Sequence, residues 1–433
     1  MTTSTPPAQG PAGPAPAAAA TNGASAAPLP APPLPPAAPL RPGSVPQTFY
    51  NPTRVIYAEG SAAQIGPHAA QLGARRAMVL SDPGVVRAGH TRPVVDSLQG
   101  AGVGVEVYEA VEPDPRIEIV ERALDAFRGA GCDLVVAVGG GSAMDTAKAV
   151  AILSTNPGPL RSYEGWEKFS SPPAPLFAAP TTVGTASEVT PFVVITDAEA
   201  KFKFTIGSPQ AAPRIAFLDP TLTLGLPANV TAATGMDALT HAIESYTSLL
   251  SSPLSEGLAL HAIRLLSGSI RAAVANSHNL GAMSAMLVGA NVAGLAFSNT
   301  RLGNVHALAH PLGAFWKIPH GVANALMLPH VLEFNALACP RKMIDVALAL
   351  GEPPPTLGVG TGTVTEYEAG LHAAAAVRRL ERDIGIPERL GDLGVDRASV
   401  PDMATDALKS ANIAINPRKT TINELIGLFE KAF

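Results

Sequence analysis

The hydrophobic pattern changes once along this chain, at Pro227, and that change constrains the fold more than any other feature. From Tyr50 to Pro227, short apolar runs alternate with amphipathic ones. Tyr50–Tyr57, Ala77–Leu80, Val103–Tyr108, Leu134–Val138, Phe192–Thr196 and Ile215–Leu218 read as strands, and Pro93–Ala101 and Ile117–Ala130 read as helices. Ala77–Leu80 and Leu134–Val138 are apolar at every position, as expected of strands covered on both faces of a parallel sheet. After Pro227 the strand signals vanish. Helix follows helix to the C-terminus, with turns at Ser251–Pro253, Gly351–Gly362 and Gly391–Gly394. The expectation is an α/β N-terminal domain over 47–227 and an all-α C-terminal domain over 228–433, since a chain of 433 residues should divide.

Residues 1–46 are dominated by Pro and Ala, with a single charged side chain at Arg41, a composition predicting a disordered tail of polyproline character. The tail lacks both the basic start and apolar core of a secretory signal and the arginines of a transit peptide. Elsewhere the net charge of −5 offers no field for nucleic acid or an anionic membrane. The longest apolar run, Met283–Phe297, is broken by Ser284 and Asn291 and is too short for a membrane span, so it reads as a buried helix. Cys132 and Cys339 cannot make a disulfide framework, which suits a reducing cytoplasm.

Leu134–Val138 runs directly into Gly139, Gly140, Gly141 and Ser142. Glycines let the backbone approach a ligand, and a helix opening at Ser142 would present unsatisfied N–H groups to a phosphate or pyrophosphate. The domain is therefore read as Rossmann-like and dinucleotide-binding, although the turn is neither Gly-x-Gly-x-x-Gly nor a Walker loop. Asp145, three residues after Ser142, would complete a capping-box-like start. Asp82, at the end of Ala77–Leu80, is placed either to accept from an adenosine ribose, favouring NAD over NADP, or simply to form a turn. Pro180–Glu188 is rich in hydroxyls that could meet a ribose or phosphate, and Lys203 lies in a Lys-Phe-Lys-Phe alternation with one face toward a ligand.

In the helical half, His306 and His310 are spaced i, i+4, as are Asp237 and His241, so each pair shares one helix face. Two faces offering imidazole and carboxylate suit Fe2+ or Zn2+. Pro311 and Gly313 should interrupt the first helix, with His320 opening the next. Spacing alone does not separate His306 from His310 as a ligand.

The segments Gly-Gly-Gly-Ser-x-x-Asp, Pro-Thr-Thr-x-Gly-Thr-x-Ser-Glu, Asp-Ala-Leu-Thr-His-Ala-Ile-Glu and His-x-x-x-His-Pro-Leu-Gly-Ala-Phe … Pro-His-Gly-Val-Ala-Asn together resemble the iron-containing (group III) alcohol dehydrogenases, in particular their lactaldehyde reductase and short-chain alcohol dehydrogenase branch. The resemblance begins near Tyr50 and implies a dehydroquinate synthase-like architecture. It implies Asp237, His241, His306 and His320 as metal ligands, and His310 as a catalytic histidine near the nicotinamide. Cofactor contacts carry over to Asp82, Gly139, Gly140, Gly141, Ser142, Thr181, Thr182, Phe192, Lys203 and the turn from Leu222 to Leu226. Asp114 stands where many members have Asn, near the nicotinamide ribose. Phe297 and Trp316 would line a small apolar pocket.

The expected activity is reversible hydride transfer between small primary alcohols or diols and NAD, with Fe2+ (or Zn2+) at the metal site. A homo-oligomer, dimer or larger, is expected, with no nucleic-acid or membrane partner. The alternatives are a lyase or cyclase like dehydroquinate synthase, whose phosphorylated substrate would need clustered cations where only Arg301 and Lys317 are available, and a non-catalytic metal-binding protein.

Overall fold

The structure is a computed structural model that describes residues 1–3, 48–200, 202–358 and 362–433; the expectation for a disordered tail therefore lies outside the described residues. Val45–Phe433 forms one compact unit. Its first half is built on six strands: β1 (Arg54–Tyr57), β2 (Arg76–Leu80), β3 (Gly104–Tyr108), β4 (Leu134–Gly139), β6 (Leu176–Pro180) and β9 (Ile215–Leu218). They pair in the order β1-β9-β6-β4-β2-β3, every pairing parallel. The central strand β4 is buried at every position, the physical reason for its unbroken apolar run.

Alternate side chains serve opposite faces. Met78, Leu80, Val135 and Ala137 join the core formed with α4 (Ile117–Gly129) and α5 (Gly141–Thr155). Val79, Val136, Val138 and Phe177 join that formed with α1 (Ile65–Leu72) and α3 (Arg92–Gly100). A short helix α2 (Pro83–Arg87) follows β2.

The expected strand at Phe192–Thr196 is present, but it belongs to a second sheet that the sequence reading did not foresee. That sheet comprises β5 (Gly165–Trp166), β8 (Phe202–Gly207) and β7 (Phe192–Asp197), with β7 and β8 antiparallel. Val193, Ile195, Phe204 and Ile206 pack inward, so Phe202–Phe204 of the alternation open a one-sided antiparallel strand.

The second half contains α6 (Ala228–Thr247), α7 (Pro253–Ala275), α8 (Leu280–Thr300), α9 (Asn304–Trp316), α10 (His320–Ala336), α11 (Pro340–Ala349), α12 (Glu366–Asp383), α13 (Val400–Ala407) and α14 (Ile422–Lys431). They share one apolar core. By length and composition α7 and α8 could each cross a membrane; here they supply Ile263, Leu266, Met283 and Met286 to that core. The expected break at Pro311 and Gly313 does not occur. α9 runs through both to Trp316 and ends at Lys317 in the left-handed region (φ 56°). Burial of Val305, Leu308, Ala309 and Leu312 holds the helix together across the one backbone bond that Pro311 cannot donate.

Candidate active site

Two clusters of polar groups are linked by a shared loop, Thr181–Thr190, which touches the glycine turn on one side and α6 on the other. The first is the glycine turn after β4. α5 begins at Gly141, with Gly140 as its N-cap and no side chain capping it. The capping role expected of Asp145 is thereby corrected: its carboxylate accepts from Ser187 Oγ (2.8 Å) and the Val194 N–H (3.1 Å), anchoring the loop after β6 and strand β7. Thr181 N–H donates to the Gly139 carbonyl (3.0 Å), tying that same loop to the turn. A Cβ at Gly140 would lie 2.9 Å from Thr182 Cγ2, and one at Gly141 2.9 Å from Thr185 Cγ2, so only glycine lets the hydroxyls come so close.

Lys148 lies under this turn with 0% exposure. Its ammonium donates to Ser187 Oγ (2.8 Å), Thr190 Oγ1 (3.2 Å) and the Phe192 carbonyl (2.8 Å). Burial pushes it down to about 8, while Asp145 and Glu188 pull it back up. Glu188 in turn accepts from Asn291 of α8 (2.7 Å). Sequence reasoning missed this lysine, although its place on the apolar face of α5 was a signal.

The remaining first-half candidates surround the turn. Asp82 caps α2, its Oδ1 accepting from Gly84 (2.8 Å) and Val85 (3.0 Å). A Cβ on Gly139 would stand 3.7 Å from Asp82 Oδ2, which places the second oxygen beside the turn. Ser142 is half-buried in the first turn of α5. Phe192 opens β7 and meets Trp166 (ring centroids 6.2 Å). Asp114, in the left-handed region (φ 52°), pairs with Lys203 at 2.6 Å. Leu222 is buried in the core beside the sheet, and Leu226 packs on the helical core.

The second cluster is delivered by three helices. Asp237 and His241 of α6, His306 of α9 and His320 of α10 converge: Asp237 Oδ1 lies 3.7 Å from His241 Nε2, 3.8 Å from His306 Nε2 and 3.6 Å from His320 Nε2. These gaps exceed ordinary hydrogen bonds. They are close to the spacing of donors around one cation, about 3.3–3.6 Å when each bond is about 2.0–2.2 Å. Ligand atoms of Asp237, His241 and His306 all fall within 4.8 Å of one another, and these three residues are buried; His320 is exposed and lies outside this group of three. The donor set therefore fits a borderline divalent ion.

Burial pushes the Asp237 carboxyl up, but His241, His320, His306 and the Asn324 amide outweigh it and hold it below its ordinary value. Burial also pushes His306 far down, as do its neighbours His241 and His320. His310, one turn beyond His306, stacks on His320 (5.8 Å). Its pKa is driven well below the usual imidazole value by lost hydration, then by His320, His306 and Lys203. Phe297 stacks on His241 at 4.4 Å, whereas Trp316 hydrogen-bonds Ser399 (3.2 Å) and packs on the helical core.

Two further residues at this cluster were missed. Glu244 Oε2 lies 2.6 Å from His306 Nδ1. Asn324 Nδ2 lies 2.7 Å from Asp237 Oδ1 and 3.2 Å from both His306 Nε2 and His320 Nε2. Both were findable, since Glu244 continues the face of Asp237 and His241 at i+7 and Asn324 follows His320 at i+4.

A parallel sheet ending in a glycine turn, set against a helical half with a buried carboxylate–imidazole cluster, defines a class of metal-assisted enzymes built in two halves. Sequence profiles agree: one described as iron-containing alcohol dehydrogenase matches residues 52–220, and one described as the C-terminal part of the Fe-containing alcohol dehydrogenase family matches 231–433. The chain belongs to the iron-containing alcohol dehydrogenase family. It is 42% identical over 380 residues to a 1,3-propanediol dehydrogenase of Citrobacter freundii, covering 87% of this chain and 96% of that one. With a lactaldehyde reductase of Escherichia coli (strain K12) the identity is 39% over 379 residues, covering 87% and 97%. A crystal structure of a 1,3-propanediol oxidoreductase superposes with a TM-score of 0.86 at 41% identity, over 90% of this chain and all (100%) of that one. The sulfoacetaldehyde reductase of Bifidobacterium kashiwanohense, solved in complex with NAD+, superposes with a TM-score of 0.78 at 29% identity, over 90% and 99%.

Proposed function

We propose that this enzyme moves hydride reversibly between small primary alcohols or diols and NAD, with Asp237, His241, His306 and His320 holding a divalent cation, Fe2+ or Zn2+. The observation that carries the reading is the convergence of three imidazole tips on Asp237 Oδ1 at 3.6–3.8 Å. When bound, the cation supplies charge that stabilises an alcohol oxygen losing its proton, and the dinucleotide supplies the hydride acceptor. The names of the relatives point to short diols and hydroxyaldehydes as substrates.

The chain's own residues do the rest. Gly139–Ser142 offer backbone N–H groups to the pyrophosphate, and Thr181 and Thr182 offer hydroxyls. Asp82 Oδ2 accepts from a ribose hydroxyl and repels a 2′-phosphate, favouring NAD. Asp114 and Lys203 hold the nicotinamide ribose, Phe192, Leu222 and Leu226 flank the cofactor, and Phe297 keeps water from the reacting carbon. His310, an exposed residue one turn beyond His306, relays the hydroxyl proton outward to solvent without retaining it. The reading divides the chain at Pro227 into a dinucleotide domain (47–227) and a cation domain (228–433). It places the enzyme in the cytoplasm, as a dimer or larger homo-oligomer.

NADH formation from 1,3-propanediol, 1,2-propanediol and ethanol by metal-loaded protein tests the activity; no turnover across such a panel sinks it. H310A should slow turnover about 10²-fold or more while metal content stays near that of the parent. Equal loss of both would make His310 a ligand.

A further inference from the structure

We propose that Glu244 is a positioning residue that fixes the tautomer of His306 and so leaves His306 Nε2 free to grip a cation; this rests on the cation site described above. Glu244 is 4% exposed, on α6, on the face that carries Asp237 and His241. Its two oxygens have separate tasks. Oε1 accepts the Val305 N–H (2.6 Å), and Oε2 lies 2.6 Å from His306 Nδ1. Oε1 is committed as an acceptor to the Val305 N–H, and with the carboxylate ionised Oε2 also accepts, which puts the imidazole proton on Nδ1.

The other edge of the ring is compatible with the same tautomer. Asn324 Nδ2 lies 2.7 Å from Asp237 Oδ1 and 3.2 Å from both His306 Nε2 and His320 Nε2. With one N–H given to the carboxylate, the second is available to a lone pair on an imidazole Nε2. Glu244 on one edge thus selects, and Asn324 on the other accommodates, the tautomer able to bind metal. The fit around Glu244 is close: a Cβ on Gly303 would come within 2.9 Å of its Oε1.

Glutamine at this position nearly preserves shape but removes one acceptor. With its amide nitrogen toward His306, the ring proton must move to Nε2, and the ligand lone pair is lost. With that nitrogen toward Val305, a buried backbone N–H at the start of α9 faces another donor.

The test strips wild type, D237N and E244Q with a chelator and titrates each with Zn2+ against a chromophoric competitor. Wild type should bind one equivalent that D237N does not. E244Q should bind it about 10–100-fold more weakly. NADH affinity and circular dichroism of E244Q should match wild type, a pattern that general unfolding would not produce. Zn2+ affinity of folded E244Q within twofold of wild type overturns the proposal and leaves the cation site standing. Failure of wild type itself to bind overturns both. If E244Q does not fold, the 15N spectrum of wild type labelled at histidine decides, with His306 assigned by difference from H306Q: a proton on Nδ1 supports the proposal and one on Nε2 refutes it.

Discussion

At the glycine turn the groups proposed to meet a ligand are backbone N–H groups and threonine hydroxyls, with the Asp82 carboxylate beside them, and the positions of the N–H groups follow from the path of the main chain. At the helical site the proposed donors are all ionisable side chains, and their positions follow from how α6, α9 and α10 pack. Behind the turn, Lys148, Asp145 and Glu188 brace the loop rather than face the ligand. Damage to the turn should therefore act through loop position and weaken cofactor binding. Damage to the helical cluster should abolish chemistry and leave cofactor binding intact.

The sharpest separation comes from D237N. It should lose the cation and reduce kcat on the order of 10³-fold or more, with NADH binding by fluorescence unchanged. Comparable loss of NADH binding would show that the two sites are not separable. K148M comes next. It strands two buried carboxylates and should destabilise the fold by about 3 kcal/mol in denaturant titration, with weaker NADH binding. Unchanged stability would mean that the buried network is incidental.

G140A is a finer probe. A methyl 2.9 Å from Thr182 should raise KM for NAD about tenfold at constant metal content, and the added T182A change should restore much of the loss. An unaltered KM would break the link between glycine and loop.

The smallest effect concerns acid. Burial pushes His330 of α10 down to about 4 from its ordinary 6.5, with Arg378 and Lys431 pushing the same way and Glu333 opposing. The unfolded chain then takes up a proton that the native state refuses. Stability from this residue is full above about pH 6.5 and is lost as pH falls toward 4. Thermal melts at pH 7.5 and 5 should show a smaller drop for H330N than for the parent; equal drops would refute it.

Much of this was legible in the sequence because burial on both faces writes itself as uninterrupted apolar runs: β2, β4 and β9 fall within a residue or so of where periodicity put them. β7 was legible as a strand, but the small sheet it joins was not, because β5 is two residues long and β8 shows only one apolar face. Pro311 misled because local propensity carries no knowledge of the core that holds α9. Glu244 and Asn324 were passed over because a Glu or Asn on a helix ordinarily faces water, and only the neighbouring helices bury them. Choosing His306 over His310 as a ligand needed family resemblance, since both lie on one face of α9.

The loop from Thr181 to Thr190 has a further consequence. On one side Thr182 and Thr185 fill the places where Gly140 and Gly141 lack side chains. On the other, Gly184 meets Thr234 of α6, where a Cβ would come within 2.6 Å, and Ala186 meets Gly294 of α8, where it would come within 2.4 Å. Surfaces keyed this closely on both sides resist shear. The segment is therefore keyed to both the sheet and the helices, and a side chain added at Gly140, Gly184 or Gly294 would wedge it away from one of them.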